Sequence, residues 1–168
     1  MTYKEVIKEK LIKAANEYCK LINNDFIIAS NQFIYQKEYL LRFHKGNFLH
    51  LTGVETNLKA KDFYEKCICG TISLTDFDCD STNEIKGKVK EKLKNLVTIG
   101  EFFEKTLVFQ ELFKKNRIEC KLASSDGKCT LDFININDVF CVPLTLLNKK
   151  QINEDNQIKD ICIIRKQR

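Results

Sequence analysis

The sequence predicts an α+β fold, in which N-terminal helices pack on an antiparallel sheet of about four strands. Apolar residues recur at helical spacing through most of residues 1–105, whereas they alternate with polar residues through most of residues 106–168. The alternating part also contains Ser-Ser-Asp-Gly at residues 124–127, which is typical of a hairpin turn. We expect a single domain, because 168 residues can bury a core and no proline- or glycine-rich linker divides them.

The first two helices are predicted from capping and spacing. One runs from Tyr3 to about Leu21, because Thr2 and Glu5 are spaced as a capping box and apolar residues follow every three or four positions. The other covers residues 59–68, where apolar side chains share one helical face. The first of these helices is expected to be a packing element.

A third helix is predicted from a stripe of apolar residues at helical spacing, namely Ile85, Val89, Leu93 and Leu96. Lysines alternate through the same segment at Lys86, Lys88, Lys90, Lys92 and Lys94. Because alternate positions fan around a helix, these lysines predict either a diffuse phosphate-attracting surface or an ordinary solvated face. A short helix is expected at residues 98–103, while residues 107–113 fit a helix or a strand.

Strands are predicted at residues 25–29, 39–44, 117–122, 129–133, 140–142 and 161–164. In the second of these, Tyr39, Leu41 and Phe43 are expected in the core. Pro143 is expected to end a strand, because it has no backbone N–H to donate. Residues 165–168 are expected to form a basic tail.

Composition limits the class of protein only loosely. The net charge of +5 favours contact with a polyanion such as nucleic acid, and a solvated surface explains it equally. The eight cysteines show no C-x-x-C pair and no histidine at finger spacing, so zinc is not expected. An amphipathic helix stands where a signal peptide would begin, and no apolar run can span a membrane, so we expect reduced thiols and a cytoplasmic protein.

The segment Arg42–Val54 is the strongest candidate for chemistry. It lies in the mainly helical part and holds both histidines, His44 and His50, with Arg42 before them and Thr52 after them. No Walker loop, G-x-S-x-G, H-E-x-x-H or G-x-G-x-x-G motif is present, which removes the commonest cofactor-dependent classes. The remaining groups are those that a metal-independent ribonuclease needs: a proton acceptor, a proton donor and a cation that stabilises the phosphorane. We expect neither a cofactor nor a metal.

Each residue of this segment has a functional and a structural interpretation. His50 is the candidate for proton transfer, with Arg42 or His44 holding phosphate and Thr52 donating to a phosphate oxygen. Alternatively, His50 is a packed histidine between two leucines, Arg42 and His44 are exposed strand residues, and Thr52 caps a turn.

The hairpin offers a second set of candidates for substrate binding. Ser124 and Ser125 present hydroxyl groups near a turn, and Lys115 and Arg117 can contact a nucleic-acid backbone. The alternatives are an ordinary polar turn for the serines and solubility for the two cations.

Two pairs of stretches carry a resemblance to a known family. They are Asn47–Val54, whose most specific part is His50-Leu51-Thr52-Gly53, followed by Ala60–Cys67, and Cys120–Ile134 followed by Pro143–Leu147. These stretches resemble a family of small proteins and domains from phages and mobile elements of low-GC Gram-positive bacteria. That family is assigned to the superfamily of barnase, EndoU, colicin E5/D and RelE-like nucleases.

The resemblance implies a helical N-terminal part packed on an antiparallel sheet of about four strands, with RNA as substrate. At matching positions it implies site roles for His50, Thr52, Ser124 and Ser125. Where the family often has another hydroxyl or a lysine after the proline, this chain has Leu144.

The leading hypothesis is therefore a phage or mobile-element toxin-like domain that cleaves tRNA or single-stranded RNA by attack of the 2'-hydroxyl, without a metal. It would act in the cytoplasm, that of the host cell if a phage encodes it. Two alternatives remain: a non-catalytic phage inhibitor that binds a host defence protein or nucleic-acid complex through a charged surface, and a nucleotide-binding sponge.

Overall fold

The computed structural model describes residues 1–115 and 117–168 and shows an α+β architecture with helices at the N-terminus, as predicted. The helices within these ranges are α1 (Tyr3–Ile22), α2 (Phe48–Thr52), α3 (Ala60–Ile68) and α4 (Asn83–Leu96). The strands are β1 (Asn24–Ala29), β2 (Glu38–Arg42), β3 (Val108–Lys115), β4 (Ile118–Ser125), β5 (Cys129–Ile136), β6 (Phe140–Asn148) and β7 (Cys162–Gln167). Short 3-10 turns lie at Lys45–Asn47, Ile99–Glu104 and Glu154–Asn156.

In the described part of the chain the strands form one mixed sheet of seven, in the order β3-β4-β5-β6-β2-β1-β7. The pairs are antiparallel except β2 and β6, which run parallel with Leu41 beside Cys141. The prediction of about four strands was too low. Local alternation identifies individual strands, but it does not show that β1 and β2 from the first half pair with each other and join the second half at β6.

The sheet is strongly curled, so that its β3 edge meets the segment that leads into β7. Phe109 and Ile158 exchange two backbone hydrogen bonds of 2.9 and 2.7 Å. The carboxylate of Glu111 accepts a hydrogen bond from the backbone N–H of Ile34 at 2.7 Å and another from the hydroxyl of Tyr39. The start of β3 is thereby covered and does not present a free edge for association.

The prediction that Pro143 ends its strand was wrong. β6 continues past it because the register shifts there: Phe133 faces Pro143 and Asp132 faces Thr145. The Asp132 carboxylate accepts hydrogen bonds from the backbone N–H of Thr145 at 2.8 Å and from its hydroxyl at 2.9 Å. At this bulge the Asp132 side chain is the acceptor for the Thr145 N–H.

The predicted basic tail was also wrong in part. Arg165, Lys166 and Gln167 continue β7 and pair with β1, where Phe26 faces Arg165. The charged residues at 165–168 do not alternate with apolar ones, so the local sequence does not indicate that they pair with β1. Its exposed side chains agree with an edge strand.

The helices α1, α3 and α4 form where their local sequences predict them, whereas α2 was not predicted. Thr2 and Glu5 cap α1 reciprocally, at 2.7 and 3.2 Å. The α4 stripe is buried, and so are Tyr39, Leu41 and Phe43, each 0% exposed. α2 and α4 both pack against β6, which brings them to one flank of the sheet.

Candidate functional site

His50 lies on the exposed side of α2. Its neighbours differ, since Leu49 is half-buried and Leu51 is fully buried against the core. The interpretation of His50 as a packed core histidine therefore does not hold. The imidazole is accessible to a ligand from solvent.

Gly53 ends α2 and allows α4 to approach it. Its φ of +79° is in the left-handed region that favours glycine. A Cβ atom at this position would lie 3.0 Å from Cδ of Lys92 and 3.1 Å from Cγ of Lys88. Glycine thus serves both the turn and the close packing of two lysine stems. The two lysines are four residues apart, on the flank of α4 that faces α2.

An open cleft of about 420 Å³ lies between α2 and α4. Its lining residues are Leu49, His50, Gly53, Val54, Glu55, Thr56, Lys88 and Lys92. A second depression of about 320 Å³ shares Glu55 and Thr56 with it and continues to Asp76 and Asp78. One wall is cationic and the other side is acidic, so the lysine wall attracts anions.

The cleft favours the neutral form of His50. Desolvation, followed by the positive charges of Lys92 and Lys88, holds the pKa of His50 below its ordinary value, and the more distant Asp132 opposes the shift. An imidazole with a pKa below about 6.5 is mostly neutral at pH 7. It can therefore accept a proton there.

Lys92 is held in place behind the imidazole. Its Nζ donates a 3.0 Å hydrogen bond to the carbonyl oxygen of Leu146 on β6. Desolvation lowers the pKa of Lys92, while the nearby negative charge of Asp132 raises it. An ammonium group has three N–H donors, so two remain after the bond to Leu146.

Asp132 is the buried group behind this site. It is 2% exposed, and burial raises the pKa of its carboxyl against the lowering effects of the Thr145 hydrogen bonds and the Lys92 charge. Lys88, Lys92 and Asp132 were not predicted as site residues from the sequence. Two features of the sequence point to this cleft. Lys88 and Lys92 are four residues apart and so share one face of a helix, and Gly53 follows His50 closely.

Arg42 and His44 lie together as predicted, but they surround Phe140. The guanidinium carbon of Arg42 is 4.8 Å from the centroid of the Phe140 ring, and the His44 ring centroid is 5.6 Å from it. Nε and Nη2 of Arg42 donate to the two carboxylate oxygens of Asp25 at 3.0 and 2.9 Å. The fork that was expected to bind phosphate is therefore occupied. Among the described residues no hydrogen bond or ion pair joins this cluster to His50.

Arg168 completes the cluster around Asp25. Its Nε lies 3.4 Å from the Asp25 carboxylate, and its Nη2 donates to the carbonyl oxygens of Ile22 and Phe43 at 2.9 and 3.1 Å. Desolvation, followed by the charges of the two arginines, lowers the pKa of His44, while Asp25 raises it. His44 is exposed and mostly neutral at pH 7.

Thr52 does not reach the cleft through its hydroxyl. The residue is 0% exposed; its Oγ1 donates to the carbonyl oxygen of Leu49 at 2.7 Å and accepts from the N–H of Val54 at 3.2 Å. This placement disagrees with the expected donation to phosphate. It agrees with the alternative that Thr52 closes the turn.

The two hairpin serines are buried as well. The Ser125 hydroxyl donates to the carbonyl oxygen of Cys129 at 2.7 Å and accepts from the N–H of Gly127 at 3.1 Å, which braces the tight turn. Ser124 is 0% exposed, and its hydroxyl has no partner among the described residues. Neither hydroxyl is presented to a substrate, so the expected binding role disagrees with the structure.

Lys115 and Arg117 lie at the β3–β4 hairpin, at the other end of these strands from the two serines. Lys115 Nζ donates to the side-chain oxygen of Gln151 at 2.6 Å. Arg117 is exposed. Neither Lys115 nor Arg117 lines the cleft at His50. The substrate-binding residues predicted at the hairpin therefore do not lie at the site predicted around His50.

Two further features of the described residues bear on the kind of site. All eight cysteines carry free thiols, and no group of three or more histidine, cysteine, aspartate or glutamate side chains is placed to hold a metal ion. Over the same residues, none of the helices combines the length and the hydropathy that a bilayer span requires.

The match to a protein family shows a nuclease-like domain. The family model PBECR4, described as phage-Barnase-EndoU-ColicinE5/D-RelE like nuclease4, matches residues 10–167 of the chain. The chain belongs to this family, as the resemblance implied. No curated protein and no solved structure matched the chain in the comparisons.

Proposed function

We propose that the chain is an endoribonuclease that cleaves RNA by attack of a 2'-hydroxyl on the adjacent phosphodiester, without a metal. The observation that carries this proposal is that the accessible His50 lines one open cleft together with Lys88 and Lys92. Membership of a nuclease-like family supports it.

In the proposed reaction, neutral His50 takes the proton from the 2'-hydroxyl. The 2'-oxygen then forms a bond to phosphorus, and the bond from phosphorus to the 5'-oxygen breaks, which leaves a 2',3'-cyclic phosphate. Lys88 and Lys92 stabilise the negative charge that develops on the phosphorane. Lys92 is the proposed proton donor to the leaving 5'-oxygen, because desolvation makes its ammonium group a stronger acid than that of a solvated lysine.

The proposed substrate is unpaired RNA, either a single strand or the loop of a tRNA. An open cleft with one cationic wall suits a flexible chain whose phosphate can turn toward the lysines. The proposed setting is a bacterial cytoplasm, with the gene carried by a phage or mobile element. The family description, which includes phage, supports that setting.

The test is cleavage of tRNA and of single-stranded RNA in the presence of EDTA. His50→Ala is expected to lower kcat/KM by about 10² to 10⁴, the usual worth of a general base. Lys90→Ala is the matched control, since it removes an exposed lysine from the same helix outside the cleft. It should change kcat/KM by less than about threefold. Equal rates for wild type and His50→Ala, or no cleavage by wild type, would remove the proposal.

The alternative of a non-catalytic inhibitor uses the other flank of α4. Lys86, Lys90 and Lys94 are all exposed there and form a cationic surface away from His50. Reversal of these three charges should abolish co-purification with a host defence protein, while His50→Ala should leave it unchanged. That result, combined with inactive wild type, would favour the inhibitor. A thermal-shift screen with cyclic nucleotides tests the third candidate, a nucleotide sponge.

A further inference from the structure

Phe140, Arg42 and His44 form a small aromatic and cationic surface, here called the Phe140 platform. Arg42 stacks on the Phe140 ring, and the exposed His44 ring lies at its side, tilted by 58°. Phe140 itself is half-buried at the start of β6, and the preceding Val139 is 65% exposed. Solvent therefore reaches this end of the strand.

The platform is held rigidly from behind. Asp25 occupies two N–H groups of Arg42, which fixes the guanidinium plane over Phe140. The backbone of His44 is held on both sides: its carbonyl oxygen accepts from the hydroxyl of Tyr18 at 2.8 Å, and its N–H donates to Asn47 at 3.2 Å. The His44 ring is thus exposed on an ordered backbone.

The chemistry of the platform differs from that of a phosphate site. The ion pair with Asp25 offsets the charge of Arg42 and uses two of its N–H groups, and the Arg42 side chain keeps 28% of its surface exposed. Flat guanidinium, phenyl and imidazole groups stack on nucleobases with little dependence on base identity. An unpaired base therefore suits this surface better than a phosphate does.

We propose that the Phe140 platform stacks an unpaired base of the same RNA strand that His50 cleaves, and this inference rests on the proposed function. His44 precedes His50 by six residues, through the turn at Lys45–Asn47 and the start of α2. Helical turns rise about 1.5 to 2 Å per residue, so six residues of such turns advance the backbone by no more than about 12 Å. The stacked base is accordingly a few nucleotides from the bond that is cut, and the site favours single-stranded RNA over duplex.

The experiment measures binding separately from cleavage. His50→Ala protein is titrated against a fluorescein-labelled oligouridine of about ten nucleotides, and against an abasic ribose-phosphate chain of the same length, by fluorescence anisotropy. Phe140→Leu and His44→Ala are each expected to weaken oligouridine binding roughly 5- to 100-fold, and to leave binding of the abasic chain unchanged. Tyr35→Leu is the matched control: it removes a ring that is 60% exposed in the loop between β1 and β2, and should change neither affinity.

The outcomes separate this inference from the proposed function. Three results would contradict base stacking on the Phe140 platform: an equal loss of affinity for both probes, unchanged affinity in both variants, or no binding of oligouridine at all. A further result would separate the two proposals: the wild-type protein does not cleave RNA, but base-dependent binding is present and His44→Ala weakens it. This result would support base stacking on the Phe140 platform and would contradict the proposed nuclease activity. His44 is exposed, so His44→Ala is expected to fold, and a thermal melt of each variant checks this.

Discussion

Lys92 Nζ donates its 3.0 Å hydrogen bond to the carbonyl oxygen of Leu146 beyond the point at which β2 pairs with β6. The pairing places Leu41 beside Cys141, and β2 ends one residue later at Arg42. The Lys92 ammonium group is thereby tied to β6 beyond the end of the pairing between β2 and β6. A lysine that is already bound to the scaffold loses little further freedom when a phosphate arrives.

The pKa of His50 should respond to its neighbours with a definite sign. Lys92→Met removes a positive charge and is expected to raise the pKa of His50, whereas Asp132→Asn removes a negative charge and is expected to lower it further. NMR titration of the imidazole protons measures this directly, and His44→Ala assigns the two histidine signals. If cleavage needs neutral His50, kcat/KM rises with pH through this pKa, and its midpoint moves with each variant. A midpoint that stays fixed while the NMR pKa moves would exclude His50 as the base.

Gly53→Ala should lower the free energy of unfolding by about 1 to 2 kcal/mol, because alanine is strained at positive φ. The new Cβ would also displace the stems of Lys88 and Lys92, so kcat/KM should fall with it. Gly87→Ala is the matched control: Gly87 lies inside α4, where an added methyl group would meet nothing within 4 Å, and the change should stabilise by up to about 1 kcal/mol. Urea unfolding measures both, and equal effects would contradict the close approach of α4 to α2.

Asp25→Asn should cost about 1 to 2 kcal/mol at pH 7, since it breaks the bidentate bond from Arg42 in a partly solvated setting. The hydrogen bonds from Arg42 hold the pKa of Asp25 below its ordinary value. The stabilisation is therefore present above an unfolded-state pKa of about 3.9 and is lost as the pH falls through the lower folded-state value. Urea unfolding at several pH values should show the cost of the substitution shrinking toward low pH. A cost that does not depend on pH would contradict the ion pair.

Asp132→Asn should show the opposite dependence on pH. Burial raises the pKa of Asp132, so its contribution to stability is full below about pH 3.9 and is lost as the pH rises through the folded-state pKa. Asparagine keeps an acceptor for the Thr145 N–H and carries no charge. The variant is therefore expected to gain stability relative to wild type as the pH rises, in the same urea measurements. If the effect of Asp25→Asn and that of Asp132→Asn on the free energy of unfolding changed with pH in the same direction, the opposite pKa shifts of the two carboxyl groups would be contradicted.

Local spacing was sufficient for the parts of the fold that depend on neighbouring residues. The capping pair Thr2 and Glu5 and the buried stripe of α4 follow from contacts within one helix, and were predicted. The nearness of Arg42 and His44 likewise follows from alternation along an extended chain.

The remaining features depend on partners that are distant in the sequence. The continuation of β6 past Pro143 requires the carboxylate of Asp132 on another strand. Five lysines alternate along α4, and only the position of Gly53 in the folded chain shows that Lys88 and Lys92 are the two beside α2. Residue type predicts that the hydroxyl of Thr52 and the guanidinium of Arg42 can donate hydrogen bonds to a substrate. The structure shows that both groups already donate to other parts of the protein.

The parallel pairing of Leu41 with Cys141 has a consequence for synthesis on the ribosome. β6 and β7 flank β1 and β2 in the sheet, and β6, the first of them to be made, follows β2 by about a hundred residues. At about 5 to 20 residues per second, this hairpin waits roughly 5 to 20 seconds with both of its edges unpaired. The β1–β2 hairpin is therefore exposed to chaperones and proteases until β6 and β7 emerge from the ribosome.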